Sequence, residues 1–438
     1  MKRLRLQHII AWILLVIMGL VVFHAPLTVF IESRWPFAGD GIKAWKELML
    51  AVALILLVID YYRRRALATL RNDWVVWLVG VYALLHIATS LLSPVTQGQA
   101  IAGLMIDLRY VAYFIAIYLF LKAYPVYRQS FFKVLLIGSG IVLGFAVLQL
   151  VLPHDFLKYV GYSSETIQPY LTVDNNPDYV RLQSTLRGPN PLGAYALTAL
   201  IGVAAYLNDK ERFKSILSHK KAVFIGIAAI IALWFSYSRS AILGGLVVLV
   251  VAALMVRRRF SLKKQLITIG GVILAGIIAI GLLRGTSFWH NVVVHDNPST
   301  GASTDSNRGH AESLYDGFSR MMNQPFGGGV GSTGSASLYG DKPLIIENQY
   351  LFVAHEAGWL GLALFIVLFV NVLVTSWRSR HDWRHLALLL SGIGLAVIGL
   401  MQPVWADDTV AMVWWGVAGV LYGAKGGGYG KPTNKKTA

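Results

Sequence analysis

Long apolar runs recur along almost the whole chain, and they limit the fold more than any other feature. Examples are "IIAWILLVIMGLVVF" (9–23), "VLLIGSGIVLGFAVLQLVL" (134–152) and "AILGGLVVLVVAALMV" (241–256). About 20 apolar residues in a helix cross the hydrocarbon core of a bilayer. With 56% hydrophobic and 14% charged residues, the chain is too apolar for an ordinary soluble domain. An integral membrane protein is indicated.

Windows of this length predict an all-α, polytopic membrane protein forming a single membrane domain over residues 1–438. Strand alternation does not compete with the helical runs. We expect about twelve transmembrane helices, at 9–31, 46–62, 74–93, 100–121, 131–152, 190–207, 221–236, 240–256, 266–283, 348–376, 386–402 and 409–424.

The net charge of +17 is concentrated in short clusters beside the spans, such as "KRLR", "RRRFSLKK" and "WRSRHDWRH". Membrane topology explains this clustering better than a nucleic-acid partner, because basic loops stay on the cytoplasmic side. We therefore expect a multi-pass protein of the cytoplasmic (inner) membrane, with an uncleaved first span and both termini cytoplasmic. The chain has no cysteine, which excludes disulfides and thiolate metal sites.

With that orientation, two outer segments are much longer than the other connections. They are called here the first long segment (153–189) and the second long segment (284–346). Function is expected on this face, because loops over a rigid scaffold carry most chemistry. In the second long segment, "HAESLYDGFSRMM" has the spacing of an amphipathic helix, and a glycine run follows it. That run is either a weak phosphate-loop signal or a flexible connector. Residues 425–438 are predicted to be a flexible, basic cytoplasmic tail.

Arginines collect in these outer parts. Arg239 lies in the short hairpin "SYSRS", Arg181 and Arg187 end the first long segment, and Arg308 and Arg320 lie in the second. Guanidinium groups bind phosphate oxygens in pairs and stay charged, so such a group suits a diphosphate and would stabilise a departing one. Each arginine alone is also compatible with a snorkelling or solvated side chain.

Other polar residues occur at or near the predicted spans. Glu347 begins "ENQYLFVAHEAGWLGL" and is a candidate general base, whereas His355 is interpreted as packing against Glu356. In "MIDLRYVAYF", the two charged residues are expected to pair with other helices rather than with each other. A surface role is expected for the aspartates of "WADD". The histidines lack metal-ligand spacing, so no metal and no cofactor are predicted.

In order and topology these elements resemble the O-antigen ligase and polymerase superfamily of bacterial surface-glycan proteins. The similarity is strongest over 181–363 and includes "RGPNPLGAYAL", "SYSRSAILGG", "SNRGHAESLYDGFSRMMNQPFGGGVG" and "ENQYLFVAHEAGWLGL". The resemblance implies a metal-independent glycosyltransferase that works on the outer face of the membrane. Its donor would be a glycan linked to undecaprenyl diphosphate, and its acceptor a hydroxyl of a glycan, a lipid such as the lipopolysaccharide core, or a wall polymer.

The resemblance also assigns residues. Arg239 and Arg308 match the arginines implicated in holding the donor diphosphate, while Asn190, Asn348 and Tyr350 match binding elements. The chain departs from the family at Glu347, where ligases similar to it have a histidine. Either Glu347 takes over the role of that histidine, or His355 does, or the chemistry differs. Ligase and polymerase activities are therefore both open.

A transporter is the main alternative, since twelve spans and cationic residues also suit a lipid-linked oligosaccharide flippase. The arginines gather on one side, which favours an enzyme over a path across the membrane. A non-catalytic scaffold is the third reading, and it predicts that arginine substitutions are silent.

Overall fold

The computed structural model describes residues 6–173, 175–209, 217–256, 270, 281–294 and 306–423. For residues 40, 256, 294, 306–308 and 310, the description is limited to the backbone. The tail predicted over 425–438 lies outside the described residues, as does most of the span predicted over 266–283.

Helices dominate the described part of the chain. Their bounds are α1 Leu6–Leu20, α2 His24–Glu32, α3 Gly39–Lys43, α4 Trp45–Arg63, α5 Leu67–Arg71, α6 Trp74–Leu92, α7 Gln97–Ala123, α8 Arg128–Gln149, α9 Pro189–Leu207, α10 His219–Phe235, α11 Arg239–Val256, α12 Ser306–Asn323, α13 Gln349–Arg378, α14 Trp383–Ile398 and α15 Asp408–Gly423. A 3₁₀ turn, Val21–Phe23, joins α1 to α2.

Six helical stretches among the described residues are long and apolar enough to cross a membrane. They are Leu6–Glu32, Trp74–Leu92, Gln97–Ala123, Pro125–Gln149, Pro189–Leu207 and Gln349–Arg378. Helix α4 has a similar length, but it carries Lys46, Glu47, Asp60 and Arg63, which lower its mean hydropathy. The all-α, polytopic class is confirmed, whereas the number of twelve spans stays a prediction.

Several helices begin at a polar side chain that caps them. The Asp73 carboxylate accepts a hydrogen bond from the backbone N–H of Val75 at the start of α6. Thr96 and Gln99 form a reciprocal capping box at the start of α7. Such caps satisfy backbone N–H groups that have no partner inside the helix. In α6 and α7, the polar residues that precede the apolar run therefore set where the helix starts.

A small β-hairpin lies within the first long segment, where the sequence indicated no strand. Strands β1 (Leu171–Val173) and β2 (Asn176–Arg181) are antiparallel, with Leu171 opposite Arg181. Asn175 adopts a positive φ of 58° at the turn, a conformation that asparagine tolerates better than most residues. The strands are too short and too polar to show an alternating pattern.

The core is densest between α7 and α15. Phe114 and Tyr110 of α7 pack their rings against Trp415, and the Trp414 ring lies 5.2 Å from that of Trp405. These aromatic side chains are almost completely buried. They fix α15 in the centre of the helix bundle.

A buried cluster of charged groups joins four helices near this core. The Lys46 ammonium lies 3.0 Å from the Asp408 carboxylate and 3.1 Å from Glu47, while Arg109 pairs with the same Asp408 at 2.5 Å. Asp107 lies 3.9 Å from His86 of α6. The prediction that these two residues pair with other helices is confirmed for Arg109, whereas Asp107 faces His86 at a distance too long for a hydrogen bond.

The expectation of a surface role for both aspartates of "WADD" was wrong for Asp408. This residue is only 9% exposed, because it begins α15 between α4 and α7 and balances their buried cations. Sequence position at a loop does not reveal such packing.

Candidate functional site

The site is built around a tight hairpin, residues 236–240, called here the arginine hairpin. Tyr237 turns the chain with a φ of 47°, and the Ser236 and Ser238 side chains are buried beneath it. The backbone N–H of Ser238 donates to Ser236 Oγ at 3.3 Å. Arg239 is thereby placed as the first residue of α11, half-buried, with its guanidinium 3.4 Å from the carbonyl oxygen of Val293.

Helix α9 begins directly against the arginine hairpin. A Cβ atom added at Gly193 would lie 2.6 Å from Ser238 Cβ and 2.9 Å from Ser236 Oγ. Any side chain there would push α9 away from the arginine hairpin. The first residues of α9, "PNPLG" (189–193), and the arginine hairpin are thus parts of one packed unit.

Arg181 links this unit to the first long segment. Its Nε donates to the Ser236 carbonyl at 2.9 Å, and its Nη2 donates to Asn190 Oδ1 at 2.7 Å. The neighbouring Leu182 N–H donates to the Phe235 carbonyl at 2.9 Å. Arg181 and Asn190 were both predicted to bind substrate, and the structure brings them together in contact with each other. Arg181 therefore orients Asn190 and the arginine hairpin.

Arg187 connects the two long segments. Its side chain is exposed, and its Nη2 donates to Ser335 Oγ at 3.2 Å. Burial is the largest effect on the pKa of Asp407 and raises it to about 6. Arg187 lies close enough to that carboxyl group to lower the pKa slightly. Of the two arginines that end the first long segment, Arg187 thus has the more accessible side chain.

The glycine run after α12, residues 327–334, is called the glycine segment, and it is inserted between α7 and α13. Gly331 adopts a φ of 87°, and its backbone packs onto Gly103 and Gln99 of α7. The Thr333 N–H donates to Glu356 Oε1 at 3.2 Å, and the Gly331 N–H donates to the same carboxyl group. This close packing is incompatible with the reading of the run as a loose connector.

Helix α13 is interrupted where the glycine segment reaches it. Gly358 has φ 71° and ψ −172°, which breaks the helical hydrogen-bond ladder. The His355 carbonyl accepts a hydrogen bond from the Gly328 N–H at 2.5 Å, and the Trp359 N–H donates to the Pro325 carbonyl at 2.9 Å. Backbone groups of the second long segment therefore form the hydrogen bonds that α13 lacks at this break.

His355 is buried below the glycine segment. It is 4% exposed, and a Cβ added at Gly328 would lie 3.1 Å from its Nε2. The exposed Arg320 of α12 is close enough to act on it electrostatically. His355 is thus separated from solvent by the segment that covers it.

Glu347 stands immediately before the cap of α13. The cap is Asn348, whose Oδ1 accepts from the N–H groups of Tyr350 and Leu351 and whose Nδ2 donates to the Leu400 carbonyl at 2.9 Å. The Tyr350 hydroxyl donates to the Ala396 carbonyl at 2.9 Å. Asn348 and Tyr350 hold the start of α13 against α14, and the half-buried Glu347 is the adjacent group with partial access to solvent.

Helix α12 lies on α13. Trp359 Nε1 donates to the Met321 carbonyl at 2.7 Å, and Gly317 packs on Leu351. Tyr315, Phe318 and Met322 are exposed large apolar side chains on α12. Arg308 is in the first turn of α12, but its side chain lies outside the described part. The meeting of Arg239 and Arg308 therefore stays a prediction.

A cavity of about 170 Å³ lies beside the arginine hairpin. Its lining mixes aromatic rings with polar groups; among these residues are Gln149, His154, Tyr170, Asp178, Arg181 and Tyr237. Burial, and to a smaller extent Tyr179, raises the pKa of Tyr237, so its hydroxyl keeps its proton at neutral pH. The cavity therefore offers ring faces together with hydrogen-bond donors and acceptors.

Sequence reasoning underestimated Glu356. It was interpreted as packing with His355, whereas the structure shows it holding the glycine segment through two backbone N–H groups. The available signal was its spacing to Gly358 and Gly361 in a motif that begins at Asn348. That spacing places the carboxyl group two residues before the break in α13.

These features define a polytopic helical membrane protein with a polar, arginine-containing site built from an interhelical hairpin and two long connecting segments. Residues 224–366, which run from α10 to α13, match the model of the O-antigen ligase family. This match supports an assignment to the O-antigen ligase and polymerase superfamily, and with it a ligase-like or polymerase-like role in membrane glycan assembly. A comparison with curated proteins found no match.

Proposed function

We propose that the protein transfers a glycan from an undecaprenyl-diphosphate-linked donor to an acceptor hydroxyl on the outer face of the cytoplasmic membrane. The observation that carries the proposal is the packing of the arginine hairpin on α9 and on Arg181, within or beside the region that matches the O-antigen ligase family. This packing fixes where Arg239 begins α11, next to residues 289–294.

The orientation rests on the distribution of basic residues. The connections at the end of the bundle away from the arginine hairpin carry Arg63, Arg64 and Arg65 after α4 and Lys220 and Lys221 at the start of α10. Basic connections of this kind stay on the cytoplasmic side. Both termini would then be cytoplasmic, and the two long segments would face outward.

In the proposed reaction, the acceptor oxygen bonds to the anomeric carbon of the donor sugar while the bond from that carbon to the diphosphate oxygen breaks. Arg239 and Arg308 would hold the diphosphate and stabilise its charge as it leaves. Arg187 would assist, while Arg181 would keep Asn190 and the arginine hairpin in place. The donor is already activated, so the reaction needs no nucleotide, and the guanidinium groups provide charge stabilisation without a metal.

Glu347 would orient the acceptor hydroxyl and take its proton. Its position just before the Asn348 cap supports this role, since the cap fixes the backbone beside it. It occupies the place where ligases resembling this chain have a histidine. The glycan of the donor would extend into the cavity beside Tyr237 and Asp178, whose rings and polar groups suit sugar faces and hydroxyls.

The test uses full-length protein in detergent with undecaprenyl diphosphate as the binding probe and a lipid-linked oligosaccharide as the donor. Arg239→Ala and Arg308→Ala should each weaken probe binding at least tenfold, the effect of losing about 1.4 kcal/mol of charged contacts. Glu347→Gln should keep probe binding but lose glycan transfer. Arg71→Ala, at an exposed arginine in α5, is the matched control.

Two outcomes would contradict the proposal. Wild-type binding and transfer in both Arg239→Ala and Arg308→Ala would remove these arginines from the mechanism. Absence of transfer by wild-type protein in detergent, with transport in vesicles, would instead support a flippase, because glycosyl transfer needs no compartments. The glycan profile of a deletion strain distinguishes a ligase from a polymerase. Loss of capped polymer indicates a ligase, and single repeat units indicate a polymerase.

A further inference from the structure

A second cavity lies at the other end of the bundle, away from the arginine hairpin. It has a volume of about 150 Å³ and lies among α8, α9, α14 and α15. Its walls are almost entirely apolar and include Leu135, Ala199, Gly202, Leu388 and Val417. An apolar cavity of this size stays dry and accepts an apolar guest.

This cavity continues into a groove that ends in lysines. Leu136, Leu217 and Ile225 line both spaces, and the groove adds Lys133 of α8 with Lys220 and Lys221 of α10. All three lysine side chains are exposed. No carboxylate is among the described residues that line the groove, so its mouth is positively charged.

The order of residues along the two helices matches the two parts of a lipid. On α8, Lys133 lies one turn before Leu136 and Ile137, and on α10 Lys220 lies one turn before Phe224. Residues three or four apart share a helix face. A molecule lying along both helices therefore meets ammonium groups first and apolar side chains next.

We propose that this groove and cavity bind one anionic glycerophospholipid, with its phosphate held by Lys133, Lys220 and Lys221 and a short length of one acyl chain in the apolar cavity. Basic pockets between transmembrane helices bind anionic head groups in this way. The site is separate from the arginine hairpin, and it extends beyond the proposed glycan transfer. A polyprenyl phosphate is the competing occupant, but the proposed place for that substrate is the opposite end of the bundle.

Full-length protein in detergent would be incubated with equal amounts of phosphatidylglycerol and phosphatidylcholine, and retained lipid would be measured by native mass spectrometry. Wild-type protein should retain phosphatidylglycerol preferentially. Each lysine near the surface contributes about a fivefold preference for an anionic head group. The variant Lys133→Gln/Lys220→Gln/Lys221→Gln should therefore lose the preference.

A second variant tests the cavity itself. Gly202 lines it, and a Cβ added there meets nothing within 4 Å, so Gly202→Leu should fill the space and reduce retention of both lipids. Gly140→Leu is the matched control, since Gly140 of α8 is exposed, has equal room and does not line the cavity. A monodisperse elution profile verifies that each variant folds.

A further control removes lysines that lie elsewhere. Lys43→Gln/Lys158→Gln/Lys342→Gln alters three residues on the side of the bundle that carries the long segments, and it should retain lipid like wild type. An unchanged preference in the Lys133, Lys220 and Lys221 variant would overturn the proposal. Displacement of phosphatidylglycerol by substoichiometric undecaprenyl phosphate, with the same lysine dependence, would overturn it too and assign the site to polyprenyl lipids.

Discussion

Replacing Glu356 tests whether the glycine segment is held by this one side chain. The carboxyl group is 1% exposed and accepts hydrogen bonds from the N–H groups of Gly331 and Thr333. The carboxyl group of Asp107 in α7 is close enough to act on it electrostatically. Glu356→Leu would keep the side-chain volume and remove the acceptor of these N–H groups.

The expected magnitude follows from the number of groups left unpaired. A buried donor without a partner costs about 1–3 kcal/mol, so two donors cost about 2–6 kcal/mol. Globular domains are stable by only about 5–15 kcal/mol, so the effect would be large. Glu356→Gln is the matched control. Its amide oxygen can accept from Thr333 and its NH₂ group can donate to Asp107, so the loss should be much smaller.

Thermal unfolding in detergent and hydrogen exchange of the glycine segment would measure both variants. Glu356→Leu should lower the unfolding midpoint clearly and accelerate exchange at Gly331 and Thr333, while Glu356→Gln should stay close to wild type. Equal midpoints for wild type and Glu356→Leu would refute the reasoning, because the two backbone donors would then have other partners.

Two further predictions concern packing and pH. Gly193→Ala should destabilise by about 1–3 kcal/mol through overpacking against Ser238, whereas Gly202→Ala in the same helix should be neutral or stabilising, as unfolding midpoints would show. Because burial raises the pKa of Asp407 from 3.8 to about 6, the folded protein holds that proton to higher pH, and up to about 3 kcal/mol of stability present below pH 4 is lost as the pH rises through 6. Asp407→Asn should flatten this dependence, and a slope equal to that of wild type would contradict the assignment.

The apolar runs located the helices well because length and hydropathy are properties of contiguous residues. The span predicted over 74–93 is α6, Trp74–Leu92, and the span over 100–121 lies within α7, Gln97–Ala123. The partners of the polar residues were harder to predict. Arg181 meets Ser236, and Arg109 meets Asp408, across 55 and nearly 300 positions of sequence, and such contacts depend on how the helices pack.

The same limit applies to the site. Sequence identified the arginine hairpin, the start of α9 and the motif at Asn348 as separate candidates. The structure shows which of them support the others: Arg181 supports Asn190, and Asn348 caps α13. No local pattern distinguishes a side chain that holds the backbone from one that meets a ligand.

The interruption of α13 at Gly358 also has a consequence for biogenesis. Unpaired backbone groups are poorly tolerated in hydrocarbon, and the groups that pair with His355 and Trp359 belong to residues 325–328. Helix α13 therefore cannot reach its final state on leaving the translocation machinery. Residues 325–328 first have to fold back onto α13. Substitutions in these residues should therefore reduce the yield of inserted protein, whatever their effect on activity.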